Sequence, residues 1–237
     1  MINLCLHIYD PNNTQALLGY FSERISHVDR ILISAPSCAV GTIGNILKTI
    51  SDIPPFEIYS VANTSNDWSG YLTLLRECKV DTLIVGNDSI VTRRIIRKRD
   101  AAELFDLTVN AVRPCLVGEL DSAKVSVIVD GRSSTSWVSS YMFGLKFGLT
   151  TPVQAADWIE GRRLSITPEA KASFMSYLSI NRPELIAREL PADGKLSAMY
   201  HERLLTEYAM RQSFDIVSQY GGNWMRKFAR FIESIFL

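Results

Sequence analysis

The sequence lacks the motifs of several common functional sites. It contains three histidines and four cysteines, and no two cysteines stand at the spacing of a metal site or a redox motif. These counts argue against a multi-histidine metal centre, and no His-Glu-x-x-His segment is present. The Gly-x-Gly-x-x-Gly fingerprint, the P-loop lysine motif and the Gly-x-Ser-x-Gly elbow of serine hydrolases are missing as well.

The chain also has no net charge and no long apolar run. Lys plus Arg and Asp plus Glu both number 25 in 237 residues, which argues against nucleic acid as a partner, because phosphate binding requires a basic surface. Polar residues near the start argue against a signal peptide, and no apolar run approaches the roughly 20 residues of a membrane span. We therefore expect a cytoplasmic protein with buried free thiols, and the inner face of the membrane is the alternative location.

A regular alternation of strand and helix patterns fills the first part of the chain. Helices of about ten to fifteen residues between strands indicate right-handed βαβ units and a parallel sheet. We expect an α/β fold with a Rossmann-like, mostly parallel sheet over residues 1–150, and a helical C-terminal segment over residues 151–237 that packs on it. The strand predictions are 2–9, 30–35, 56–62, 81–85 and 124–129, and the later helix predictions are 135–147, 168–179, 183–190, 196–220 and 223–237.

Polar side chains collect where the predicted strands end. Such residues are typical of helix caps, and a lone histidine in an apolar strand is typical of a hydrogen-bonded core residue. The carboxyl ends of parallel strands meet at one edge of a sheet, where open α/β folds bind ligands, so the set as a whole predicts a ligand site. The set comprises His7, Asn63, Asp67, Asn87, Asp88, Ser89 and Asp130.

Five segments, in order over residues 1–220, resemble the rhamnan synthesis F family. That family has a His-[Ile/Leu]-Tyr-Tyr strand, an Asn-Arg-Gly-Arg-Asp-Ile-Gly-Pro-Phe-Leu segment, a strand ending in Leu-Asn-Asp-Ser, and later His-Leu-Gln-Ser-Tyr-Phe and Tyr-Glu-x-x-Leu-Ser segments. The similar segments here are 6–11 (Leu-His-Ile-Tyr-Asp-Pro), 63–72 (Asn-Thr-Ser-Asn-Asp-Trp-Ser-Gly-Tyr-Leu), 81–89 (Asp-Thr-Leu-Ile-Val-Gly-Asn-Asp-Ser), 137–143 (Trp-Val-Ser-Ser-Tyr-Met-Phe) and 200–205 (Tyr-His-Glu-Arg-Leu-Leu).

The resemblance implies a GT-A-type glycosyltransferase. Such an enzyme would move a sugar, rhamnose being one candidate, from a nucleoside diphosphate donor to a surface polysaccharide or a lipid-linked acceptor. The resemblance places a metal ligand at Asp88, where Mg²⁺ or Mn²⁺ would bridge the diphosphate. With one carboxylate the alternative is a weak metal site or none, and Arg93 or Arg94 would then neutralise the diphosphate. Asp130 and Glu202 are the candidate bases, and the alternative function is a non-catalytic, glycosyltransferase-like subunit that binds glycan or a partner transferase.

The last predicted helix, residues 223–237, is amphipathic. Its apolar face carries Trp224, Phe228, Phe231, Ile232 and Ile235, and its basic residues stand opposite. This pattern suits peripheral contact with an anionic membrane. Packing on the protein's own core, or on a second copy in a homodimer, explains the same pattern equally well.

Overall fold

The computed structural model describes residues 1–62, 67–93, 97–163, 167–181 and 192–219. Its strands are β1 (Ile2–His7), β2 (Arg30–Ala35), β3 (Phe56–Ser60), β4 (Thr82–Asn87), β5 (Cys115–Val129), β6 (Arg132–Lys146) and β7 (Asp215–Ser218). Its helices are α1 (Thr14–Tyr20), α2 (Ser37–Lys48), α3 (Asp67–Glu77), α4 (Ser89–Arg93), α5 (Lys98–Val109), α6 (Pro152–Arg163), α7 (Pro168–Asn181) and α8 (Ala192–Arg211). The predicted helix 183–190 lies outside the described residues, as does 223–237 with its predicted docking face.

The strands form one seven-stranded sheet in the order β3-β2-β1-β4-β6-β5-β7. β1 pairs in parallel with β2 and β4, β2 with β3, and β5 with β7. Only β6 runs against its neighbours, β4 and β5, among the described strands. The predicted α/β fold with a mostly parallel sheet is therefore confirmed.

Helices cover both faces of this sheet, which explains why its central strands are almost entirely apolar. Leu4 and Leu6 of β1 point into a core with α1, α2 and α5, whereas Cys5 points into a second core with α3, α6, α7 and α8. Division of the chain near residue 150 into two units stays a prediction. No helix in the described ranges is both long and apolar enough to cross a membrane.

The prediction of a helix over residues 135–147 is wrong. Residues 135–146 belong to β6, which forms a long hairpin with β5. Asp130 and Gly131 make the turn with φ values of 48° and 76°, the left-handed conformation that an Asp-Gly hairpin turn requires. The Asp-Gly pair between two apolar runs is a strong hairpin signal, and the aromatic and β-branched residues after it favour a strand over a helix.

The predicted helix 196–220 is wrong at its C-terminal end. Helix α8 ends at Arg211, Ser213 adopts a left-handed φ of 57°, and the chain then enters β7. β7 is held by parallel pairing with β5, a contact between residues about a hundred positions apart that helical periodicity cannot reveal. The long hairpin of β5 and β6 contacts α8, where the Val138 amide donates to Thr206 Oγ1 at 2.9 Å.

Candidate functional site

A row of buried polar side chains crosses the sheet at its carboxyl edge. Ser34, His7 and Asn87 lie side by side in the register of β2, β1 and β4, and all three are fully buried. His7 Nδ1 lies 3.0 Å from Ser34 Oγ. The row therefore forms a buried polar layer beneath the edge, in which His7 pairs with Ser34 and supports the edge from below rather than facing solvent.

Helix α3 approaches this row closely because residue 70 is glycine. A Cβ at Gly70 would overlap His7 Nδ1 and come within 2.6 Å of Ser34 Oγ. Tyr71 follows, with its ring edge-on to His7 at 6.2 Å between ring centroids. Trp68 lies edge-on to Tyr71 at 5.4 Å and stacks on His201 of α8 at 5.7 Å. Four linked rings thus join β1, α3 and α8.

The Asp88 carboxylate fixes the loop that follows β1. Asp88 is 6% exposed, and its Oδ2 accepts the Tyr9 amide at 3.0 Å and the Asp10 amide at 2.7 Å. Asn87 Oδ1 accepts the Ser89 amide at 3.0 Å, as in a cap at the start of a helix. The Asn87 and Asp88 side chains therefore bind main-chain groups, and the ligand contacts predicted for residues 87–89 stay predictions.

Glu202 of α8 lies at the same edge as Asp88. β6 pairs with β4 as far as Met142 opposite Gly86, and Ser140 lies two residues beyond this last pair, toward the carboxyl edge of the sheet. Glu202 Oε1 accepts the Ser140 amide at 2.7 Å, and the Tyr71 hydroxyl donates to the Ser140 carbonyl at 2.7 Å. The structure therefore brings a predicted base to the predicted edge.

The second oxygen of Glu202 lies beside a buried cation. Glu202 Oε2 is 3.8 Å from Arg203 Nη1, and the side chains are 17% and 1% exposed. The Arg203 guanidinium stacks 3.7 Å over the Trp137 ring, with Phe174 and Tyr177 at 5.0 Å. Burial lowers the pKa of Arg203, and the Glu202 charge opposes this shift.

Asp130, the other predicted base, lies at a different place. It forms the β5–β6 turn, and its carboxylate is bound by Arg211 at 2.8 Å and by Arg162 at 3.2 Å. The Asp130 amide also donates to the Tyr200 hydroxyl of α8 at 3.2 Å. The structure therefore ties Asp130 to α8 and to two arginines, and its role as a base stays a prediction.

Three predicted residues stay untested by the geometry. Asn63 lies outside the described residues, and the side chains of Asp67 and Arg93 are not described although both residues belong to helices. Within the described ranges, no group of three His, Cys, Asp or Glu side chains could hold a metal ion. Because Asp88 Oδ2 already accepts two amides, the described donor set does not fit a Mg²⁺ or Mn²⁺ site.

Sequence reasoning missed Ser34, Gly70 and Tyr71. Ser34 is a polar residue in an apolar strand, which is a usable signal, whereas Gly70 and Tyr71 read as ordinary positions of a helix. A cleft of about 750 Å³ also escaped notice, and it opens at the opposite edge of the sheet, where β5 and β7 begin. Arg24, Asp106 and Val217 are among the residues that line it.

Comparisons with known proteins yield likenesses of fold. No protein-family model matches the chain, and no curated protein matches it. A 4-diphosphocytidyl-2C-methyl-D-erythritol synthase from Anaerococcus prevotii is 12% identical, with 86% of this chain and 99% of that chain covered and a TM-score of 0.47. A 2-C-methyl-D-erythritol 4-phosphate cytidylyltransferase from Thermus thermophilus is 8% identical, with coverage of 91% and 87% and a TM-score of 0.39.

A mannosyltransferase from Pyrobaculum calidifontis, solved with GDP-Man and Mn²⁺, is also similar. It is 9% identical, with 99% of this chain and 85% of that chain covered and a TM-score of 0.43. These neighbours have nucleotidyltransferase and glycosyltransferase folds. At these identities and TM-scores, the similarity concerns the fold alone.

Proposed function

We propose that the chain is a glycosyltransferase that moves a sugar from a nucleoside diphosphate donor to a glycan or lipid-linked acceptor. The observation that carries the proposal is the position of Glu202 at the carboxyl edge, where it accepts the Ser140 amide just beyond the last pair of β4 and β6. The ordered resemblance to the rhamnan synthesis F family supports it further. Rhamnose is the donor sugar that this resemblance favours.

The proposed chemistry is an inverting displacement with Glu202 as the base. Glu202 Oε1 is occupied by the Ser140 amide, so Oε2 takes the proton from the acceptor hydroxyl. The acceptor oxygen then bonds to the anomeric carbon, the bond from that carbon to the diphosphate oxygen breaks, and the nucleoside diphosphate leaves with the electron pair. The diphosphate would lie near residues 87–89, with Arg93 as its counter-charge. No step is routed through a metal ion, because the described donor set does not fit one.

A second candidate is a non-catalytic subunit that binds glycan or a partner transferase. One observation favours it specifically. The Asp88 carboxylate accepts two main-chain amides and has no metal ion as a counter-charge in this account, and a carboxylate without a counter-charge repels a diphosphate. A binding subunit would need the edge for recognition only, and its affinity for a ligand would not depend on Glu202 acting as a base.

The two candidates differ in turnover. Wild-type protein should release nucleoside diphosphate from one member of a panel of nucleotide sugars when a glycan acceptor is present. The assay is run once with Mn²⁺ and once with EDTA. Glu202→Gln should lower turnover at least 100-fold and leave donor binding within about twofold, since general base catalysis contributes roughly 10²–10⁴-fold. Glu169→Gln, an exposed change in α7, is the matched control and should behave as wild type. Ligand binding without turnover in the wild type would favour the second candidate.

A further inference from the structure

The strand β6 is irregular at Ser140. Its pairing with β5 shifts between Gly118 and Leu120, and in the register of the described strands Ser140 is paired with neither β4 nor β5. Such bulges re-aim side chains and are frequent beside active sites. Both main-chain groups of Ser140 are instead bound by side chains, the amide by Glu202 and the carbonyl by Tyr71.

This arrangement shows what the Tyr71 hydroxyl holds in place. Tyr71 is fully buried, and its ring is held by Trp68, His7 and Phe143, so its hydroxyl is fixed relative to the sheet. The bond to the Ser140 carbonyl fixes the bulge, and the bulge presents the amide that orients Glu202. A loosened bulge would let the Glu202 carboxylate rotate about its terminal torsion, which is a soft one.

We infer that Tyr71 is a positioning residue for Glu202, acting through the main chain of Ser140. The inference rests on the proposed function, because it assigns Tyr71 a role in the orientation of the proposed base. Tyr71 makes no contact with substrate in this account. Its loss should therefore lower kcat and leave KM for the donor unchanged, since the donor-binding residues stay in place.

The test compares Tyr71→Phe with a control variant, Tyr208→Phe. Tyr208 is also buried, and its ring packs on Trp158 and Phe214. Loss of one orienting hydrogen bond, about 1–1.5 kcal/mol, predicts a fall in kcat of about tenfold for Tyr71→Phe with KM within twofold. Tyr208→Phe should change neither constant more than twofold. A kcat for Tyr71→Phe within twofold of wild type, while Glu202→Gln is inactive, would overturn the inference.

A second measurement does not need turnover. In ¹⁵N-labelled protein, the Ser140 amide resonance should move in Glu202→Gln and in Tyr71→Phe, and should stay in place in Tyr208→Phe. An unmoved Ser140 resonance in Tyr71→Phe would overturn the inference even if the enzyme is active. Absence of turnover in the wild type would instead refute the proposed function, and this resonance would then decide alone whether Tyr71 holds the bulge that orients Glu202.

Discussion

Substitution of Gly70 by alanine tests the close packing beneath the candidate site. A methyl group there would overlap His7 Nδ1 and approach Ser34 Oγ to 2.6 Å, and both neighbours are fully buried. Because neither side chain can move into solvent, helix α3 has to shift. Overpacking of this kind costs about 1–3 kcal/mol, and the better helix propensity of alanine returns up to about 1 kcal/mol. We therefore expect a net loss of about 1–2 kcal/mol.

The matched control is Gly41→Ala in α2, where an added methyl group meets no atom within 4 Å. This variant should gain about 0.5–1 kcal/mol, because alanine replaces glycine inside a helix without a clash. Urea unfolding followed by circular dichroism measures both free energies, provided that two probes give coincident transitions. In a His7→Ala background the loss from Gly70→Ala should be smaller than in wild type, since the overlapped ring is removed. Equal stabilisation by both glycine substitutions would refute the packing argument.

Four other outcomes are expected. Asp88→Ala should lose about 1–3 kcal/mol in urea unfolding, because two amide donors lose their acceptor. The hydrogen bond from Arg24 lowers the pKa of Asp106 in the folded protein, so this pair stabilises the fold above the pKa of unfolded Asp106. That stabilisation is lost as the pH falls through the pKa of Asp106 in the folded protein, and the stability difference between wild type and Asp106→Asn should therefore shrink below about pH 4. Arg203→Ala should destabilise by about 2–5 kcal/mol and Arg203→Met by less, since both remove the cation beside Glu202 but only methionine refills the aromatic cage. A thiol reagent should modify only Cys38 in the native protein and all four cysteines in denaturant.

The parallel half of the sheet could be predicted from the sequence because its signals are local. β1, β2 and β4 are short apolar runs separated by helical spacing, and this pattern alone indicates βαβ units. β7 could not be predicted in the same way, because its partner β5 lies about a hundred positions away in sequence. The hairpin does carry a local signal, Asp130-Gly131 between two apolar runs, but the serines at the start of β6 obscure the alternation that marks a strand.

The candidate site was predictable only as a collection of polar residues at strand ends. Asp88 was noticed because it interrupts an apolar strand, yet its partners, the amides of Tyr9 and Asp10, depend on the tertiary structure. Tyr71 lies in the segment 63–72 that resembles the family, yet no role was predicted for it, because a tyrosine on the inner face of a helix has no distinguishing pattern. Its role depends on a bulge in β6, and bulges leave no reliable mark in a single sequence.

The most direct test of the central claim maps a nucleotide sugar onto the protein by NMR. We predict that one nucleoside diphosphate sugar from a panel will shift the amide resonances of Tyr9, Ser89 and Ser140 at the carboxyl edge. The exposed Val112, which lines the cleft at the opposite edge, should not respond. Shifts confined to the cleft around Val112, or no shift with any nucleotide sugar at millimolar concentration, would contradict the claim that this edge binds the donor.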